Sequence, residues 1–297
     1  MLKDNSLSSK ILSVVVNITM IVTVIVTLYP VLNVLACSLS SARANDRGTI
    51  TIFPQEFTLQ AYQMIWEART VPRAFKNSVI YTIVGTVINL LLTTTFAYPL
   101  SRKRLALKKF YIWLIVIPMY FSGGLIPTFL LVKGLGLYNT MWALILPGAI
   151  STTNLLIMRT FFQSIPPELE ESAYLDGASE IYIYWKIILP LSKAALATIG
   201  LYYAVGHWNS WFSALIYLSD SNKYPLQLVL RQIVLMTQSL QEAAQSGDLS
   251  AINELGVVNV KGVKYATLFV SMLPMLIVYP FIQKYFVKGV MIGSLKE

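Results

Sequence analysis

The sequence predicts an all-α, polytopic membrane protein with six transmembrane helices and one cytoplasmic loop folded as two short helices. Three observations predict it. Only 12% of the 297 residues are charged and 56% are hydrophobic, whereas an average soluble domain is about 25% charged. Six apolar stretches reach the length of about 20 residues that a helix needs to cross a bilayer. Between the fourth and fifth of them lies an acidic segment with its own helix starts and turn. The net charge of +9 does not point to nucleic acid, because the basic residues gather at the ends of apolar stretches, as membrane topology requires.

The stretches are residues 11–36, 78–100, 110–132, 141–162, 194–218 and 265–286. The first is long enough to span with tilt. A cleavable leader is the alternative, and Val34-Leu35-Ala36-Cys37 resembles a weak lipoprotein cleavage box. The stretch exceeds the roughly 7–15 apolar residues of such a leader, so a retained helix is expected. Orientation follows from the short connections. Residues 101–109 carry Arg102, Lys103, Arg104, Lys108 and Lys109 and no acid, which places this loop in the cytoplasm. Both termini and residues 163–193 are then cytoplasmic, and residues 37–76 and 219–264 lie outside. Lys3, Lys10, Lys284, Lys288 and Lys296 agree with that orientation. The chain is thus organised as 1–76 (tail, first span, outer loop), 77–286 (core spans) and 287–297 (cytoplasmic tail).

Several residues inside the spans call for an account. Ser122-Gly123-Gly124 with Pro127 interrupts the third span. Backbone groups freed there must be satisfied by protein or by a wet cavity, and small residues also serve tight helix packing. Asn89, Asn154, His207 and Asn209 are polar groups at or near membrane depth. They either face a pathway or make hydrogen bonds between helices. Tyr202, Tyr203, Trp208, Trp211 and Tyr217 concentrate in the fifth span. Such rings stack on sugars, and they also populate the membrane interface. Asn89, Asn154, Tyr203, His207, Trp208 and Asn209 are the candidates for a substrate path.

The acidic loop is the most specific segment. Pro166-Pro167 suits a helix start, and Glu168, Glu170 and Glu171 follow where the helix dipole favours acids. Leu169, Ala173 and Asp176 share one face by spacing. Gly177 is placed to take the left-handed cap. Ser179 is placed to cap a second helix, which begins at Glu180, carries Ile181, Tyr184, Ile187 and Ile188, and runs to Leu189-Pro190. A helix lying on a membrane surface usually carries Lys and Arg. This one is acidic, which favours a protein partner in the cytoplasm.

Glu168-Leu169-Glu170-Glu171-Ser172-Ala173, then Asp176-Gly177-Ala178-Ser179, then Ile187-Ile188-Leu189-Pro190 resembles the EAA loop of binding-protein-dependent ABC importer permeases. Ser172 replaces the usual first alanine, one small residue for another. Six spans with cytoplasmic termini resemble the MalG-type permeases of carbohydrate importers. Residues 119–127 are similar to the LplC/YtcP-like branch of that family, which is often linked to complex oligosaccharides, and residues 288–297 resemble the family's C-terminal tail.

The resemblance implies a coupling helix that seats in a groove of an ATP-hydrolysing subunit, with Glu171, Ala173 and Gly177 as contact and turn positions. Glu168, Glu170, Asp176, Ile187, Leu189 and Pro190 complete the coupling set. It further implies a permease subunit in the cytoplasmic membrane, importing carbohydrate of oligosaccharide size. Its partners would be a second related permease, two ATP-binding subunits and an extracytoplasmic solute-binding protein. ATP and Mg²⁺ would be held by the partner ATPase, and no cofactor by this chain. Residues 243–255 of the second outer loop are expected to fold against the binding protein or the partner permease.

Other classes are less well supported. The chain has no G-x-x-x-x-G-K-[ST] phosphate loop, and Gly134-Leu135-Gly136 reads as a turn. With Cys37 the only cysteine and His207 the only histidine, no intrachain disulfide or His/Cys metal cluster is expected. No nucleophile–base pair stands out around the histidine, so no catalytic residue is expected. An ion-coupled carrier would need acids inside the spans, and the six stretches contain none. An amino-acid or peptide permease of the same ABC class is the alternative.

Overall fold

The computed structural model describes residues 7–246 and 259–294. The expectations placed on Lys3, on most of 243–255 and on the last three residues therefore lie outside the described residues. The described chain is helical throughout, joined by turns and one isolated bridge between Ser40 and Phe57. By length and composition it has three helices able to cross a membrane. It has six if each of three bent pairs is one span.

The chain divides into two units, residues 1–72 with 230–273, and residues 73–229 with 274–297. In the first unit, α1 (Leu7–Ser38) is apolar and exposed all round over most of its length; Ile25 is 62% exposed. A helix apolar on every side is built for lipid or for a larger core. The hydroxyls of Thr19, Thr23 and Thr27 each donate back to a carbonyl one turn earlier, at 2.8–2.9 Å. Their polarity is thus satisfied without water. Helix α2 (Ala42–Arg47) is capped by Ser41 and ended by left-handed Gly48. Helix α3 (Gln60–Glu67) follows. Ala36, Cys37, Ala44 and Ile50 form a small core with Tyr265 against it.

The second unit begins within α4 (Thr70–Ser101), a continuous helix longer than the expected second span. Then come α5 (Lys108–Tyr120) and α6 (Leu125–Gly134), bent by 116°. The bend falls where Ser122–Gly124 interrupts the third span. Gly124 has φ +84° and ψ 176°, a region open essentially to glycine alone. Among the described residues, and leaving aside the immediate chain neighbours, no atom lies within 4 Å of where a Cβ would stand on Gly123 or Gly124. Gly124 therefore supplies backbone freedom, and neither glycine makes a close helix contact among the described residues.

The fourth stretch is α7 (Trp142–Ile145) with a 3₁₀ turn at Leu146–Gly148, then α8 (Thr152–Gln163) capped by Ser151. The two parts meet at 54°. The acidic loop holds α9 (Glu168–Leu175), then α10 (Glu180–Ile183), a π-turn (Tyr184–Ile188) and α11 (Leu189–Leu191). Helix α12 (Lys193–Trp208) follows at 81°.

The fifth stretch is not one helix. It ends at Trp208, because Asn209 and Ser210 favour turns over helix interiors, and resumes as α13 (Phe212–Tyr217). Helix α14 (Leu226–Ser246) lies in the segment expected as an outer loop, and α15 (Val260–Ser294) holds the sixth span. The principal core of the second unit packs Leu155, Met158, Phe162, Ala173, Ile183, Ile188 and Ile199. The acidic loop is therefore built into the same core as the ends of α4, α8 and α12.

Candidate functional site

The acidic hairpin is closed by local chemistry. Gly177 has φ +77°. Its N–H donates to the Tyr174 carbonyl at 3.0 Å, and the Ala178 N–H reaches the Ala173 carbonyl at 2.9 Å. Those two bonds make a Schellman motif, which satisfies carbonyls that the end of α9 would otherwise leave open. The Ser179 hydroxyl then accepts the Tyr182 N–H at 3.3 Å and starts α10. Both assignments match the sequence reading.

The inward face differs from the spacing argument. Glu170 and Ala173 are buried, whereas Leu169 is 43% exposed. The reason lies in the basic loop. Arg102 forms an ion pair with Glu170, and both side chains are largely buried. The Arg102 guanidinium also lies 4.7 Å from the centre of the Tyr98 ring. Burial pushes the Glu170 carboxyl above the usual range, with Arg102 and Arg104 pulling the other way.

A second pair joins Arg104 to Glu180. Arg104 also donates to the Tyr174 hydroxyl, and the Tyr98 hydroxyl donates to Glu180 at 3.1 Å. Burial alone would raise the Glu180 carboxyl. The hydrogen bonds from Tyr174 and Tyr98 and the charge of Arg104 outweigh it, so Glu180 ionises below the usual range.

What remains outward is a rim of Glu168, Glu171 and Asp176 around Leu175, which is 90% exposed. Ile181 is 72% exposed. Ile187 and Leu189 pack partly against the core and Pro190 is exposed. Beside the hairpin lies an open, mostly apolar cavity of about 590 Å³, lined by Thr95, Tyr98, Leu105, Ile181 and Trp185 among others.

The residues considered for a substrate path separate into two sets. Asn89, Tyr203 and His207 come together where α4 meets α12. Asn89 Nδ2 is 3.2 Å from His207 Nε2. The Tyr203 hydroxyl is 2.7 Å from Thr93 Oγ1 and accepts the Ser151 N–H at 3.0 Å. Gly85 makes room for the imidazole, since a Cβ there would stand 2.5 Å from His207 Nε2. Buried Trp208 meets Phe75 edge-on at 5.7 Å. Asn154 is buried in the first turn of α8, and Asn209 is exposed at the end of α12.

Arg102, Arg104 and Tyr98 were not singled out from sequence as site residues. The signal was present, since the basic loop was read only for topology although its charges oppose those of the hairpin. Among the described residues no group of three or more His, Cys, Asp or Glu could hold a metal ion.

The comparisons with known proteins agree with this architecture. Residues 85–292 match the family model described as the binding-protein-dependent transport system inner membrane component. Protein LplC of Bacillus subtilis (strain 168) is 45% identical over 91% of this chain and 89% of its own. The polygalacturonan/rhamnogalacturonan transport system permease protein YtcP of the same organism is 43% identical over 90% and 92%. A chain of a bacterial ABC transporter involved in the import of the acidic polysaccharide alginate superposes with a TM-score of 0.84 at 31% identity. That match covers 95% of this chain and 98% of that one. The chain belongs to the binding-protein-dependent transport system inner membrane component family, the membrane-spanning permeases of ABC importers, in which ATP is bound by separate subunits.

Proposed function

We propose that this permease carries carbohydrate of oligosaccharide size across the cytoplasmic membrane in an importer driven by a partner ATPase. The acidic hairpin carries the ATP-driven part of the reading: a rigid, capped element presenting Glu168, Glu171, Asp176 and Leu175 outward while its other face belongs to the core. The sugar part is supported by the transport roles named for YtcP and for the alginate importer. The amino-acid or peptide alternative finds no support among these relatives.

In this reading the chain pairs with a second, related permease. Two ATP-binding subunits, holding ATP and Mg²⁺, seat the coupling hairpins. A solute-binding protein delivers sugar from outside, and both termini face the cytoplasm. Closure of the ATPase pair draws the hairpins together and turns the cavity outward, and hydrolysis resets it, a two-state cycle biased by nucleotide. Glu168, Glu170, Glu171, Ala173, Asp176, Gly177, Ile187, Leu189 and Pro190 form the coupling element. Asn89, Asn154, Tyr203, His207, Trp208 and Asn209 are candidates for the path.

The test is co-expression with the neighbouring genes and purification in mild detergent, followed by mass spectrometry and ATPase assays with pectin and alginate digests. Recovery of an ATPase, a second permease and a binding protein, with hydrolysis stimulated by oligosaccharide, is expected. Recovery of this chain alone, or stimulation by peptides and not by sugars, would overturn the proposal.

A further inference from the structure

The two charged pairs do something the hairpin's outward rim does not. Chain connectivity ties the hairpin to α8 on one side and to α12 on the other. Arg102 and Arg104 tie it to a third element, the end of α4, from which the hairpin is distant in sequence. Arg102 reaches buried Glu170 on α9, and Arg104 reaches Glu180 at the start of α10. Each helix of the hairpin thus receives its own arginine.

The aromatic residues repeat the pattern. Tyr98 of α4 lies under Arg102 and bonds Glu180, while Tyr174 of α9 lies under Arg104. The Tyr184 hydroxyl donates to Thr94 of α4 at 2.7 Å. From the other side α8 grips the same end of α4. Arg159 Nε donates to the Leu100 carbonyl at 3.1 Å and Gln163 Nε2 to the Ser101 carbonyl at 3.4 Å. Lys108 Nζ closes the loop on the Arg102 carbonyl at 3.0 Å. The basic loop is therefore clamped from two sides and is not a free connector.

We infer that Arg102 with Glu170, supported by Arg104 with Glu180, is a positioning strut that makes α4 move with the acidic hairpin. A displacement imposed on the hairpin then reaches the second span directly, in addition to the fifth through the chain. The inference rests on the proposed function, because it needs an ATPase to move the hairpin. Glu170 acts here from the inner face, not as a docking contact. Energetic coupling between sites is carried by packed side chains, hydrogen-bond and salt-bridge networks and rigid elements, and all three are present here.

The test uses the assembled importer in proteoliposomes with its binding protein and pectin and alginate digests as the sugar source. The variants are Arg102→Met, Arg102→Lys, Glu170→Gln and the Arg102→Met/Glu170→Gln double. The readouts are ATPase subunit recovered per permease and the ratio of stimulated to basal hydrolysis. Wild-type ATPase recovery with a stimulation ratio lowered at least fivefold is expected in Arg102→Met and in the double variant. Arg102→Lys, which can still pair, should retain most of the ratio.

The double variant leaves no buried charge unpaired, so it separates loss of the strut from misfolding of a single variant. A wild-type ratio in the double variant would overturn the strut, and so would loss of ATPase recovery there, since the pair would then serve docking or folding. A wild-type complex with no ATPase at all would instead remove the functional reading on which the strut depends.

Discussion

Gly177 shows how one residue can decide a site. At φ +77° its backbone lies where a β-branched side chain is strongly disfavoured, although no neighbouring atom would crowd a Cβ. The penalty is therefore conformational, on the order of 1–3 kcal/mol. Gly177→Val should loosen the Schellman closure and lower hairpin order. Faster amide exchange at residues 174–179, with an unfolding temperature lowered by a few degrees, is the expected result, and unchanged exchange would contradict it. Glu170 teaches the opposite lesson. Its acidity suggested a contact, but burial against Arg102 makes it part of the frame. Removing one partner of such a pair typically costs about 3–5 kcal/mol.

At the scale of elements, the seam between α4 and α12 is built on absence of volume. A Cβ on Gly85 would meet three imidazole atoms of His207 at 2.5–2.8 Å. Gly85→Ala should cost about 1–3 kcal/mol by overpacking and lower the unfolding temperature in detergent, and adding His207→Ala should recover part of that loss. Additive losses in the double variant would show that the two residues do not share the seam. Elements of this kind were unevenly legible. Hydropathy located α1, α4 and the sixth span, and capping rules found α9, Gly177 and Ser179, because each rests on local chemistry. The turn of α9 that buries Glu170 depends on which distant residue lies opposite, here Arg102. Helix α14 is hidden from hydropathy because its polar face lowers the mean of the segment.

At the scale of the whole molecule, an outward acidic rim is separate from an inward ionic clamp, so in the proposed reading docking and transmission fail independently. Glu171 is exposed and lies on the rim. Glu171→Lys should therefore keep the fold and lower ATPase recovery in pull-downs by roughly tenfold, equivalent to about 1.4 kcal/mol. Equal recovery from wild type and variant would remove Glu171 from the docking surface. The π-turn at Tyr184–Ile188 carries one more consequence. Pro190 cannot donate to the carbonyl one turn back, and the Leu189 N–H reaches the Tyr184 carbonyl instead of the usual partner. A π-turn is in effect one residue inserted into a helix. At 3.6 residues per turn, each residue is worth about 100° of rotation. Length changes in this segment would therefore be read as azimuth: the hairpin would point its rim in a new direction while remaining almost the same distance from the membrane.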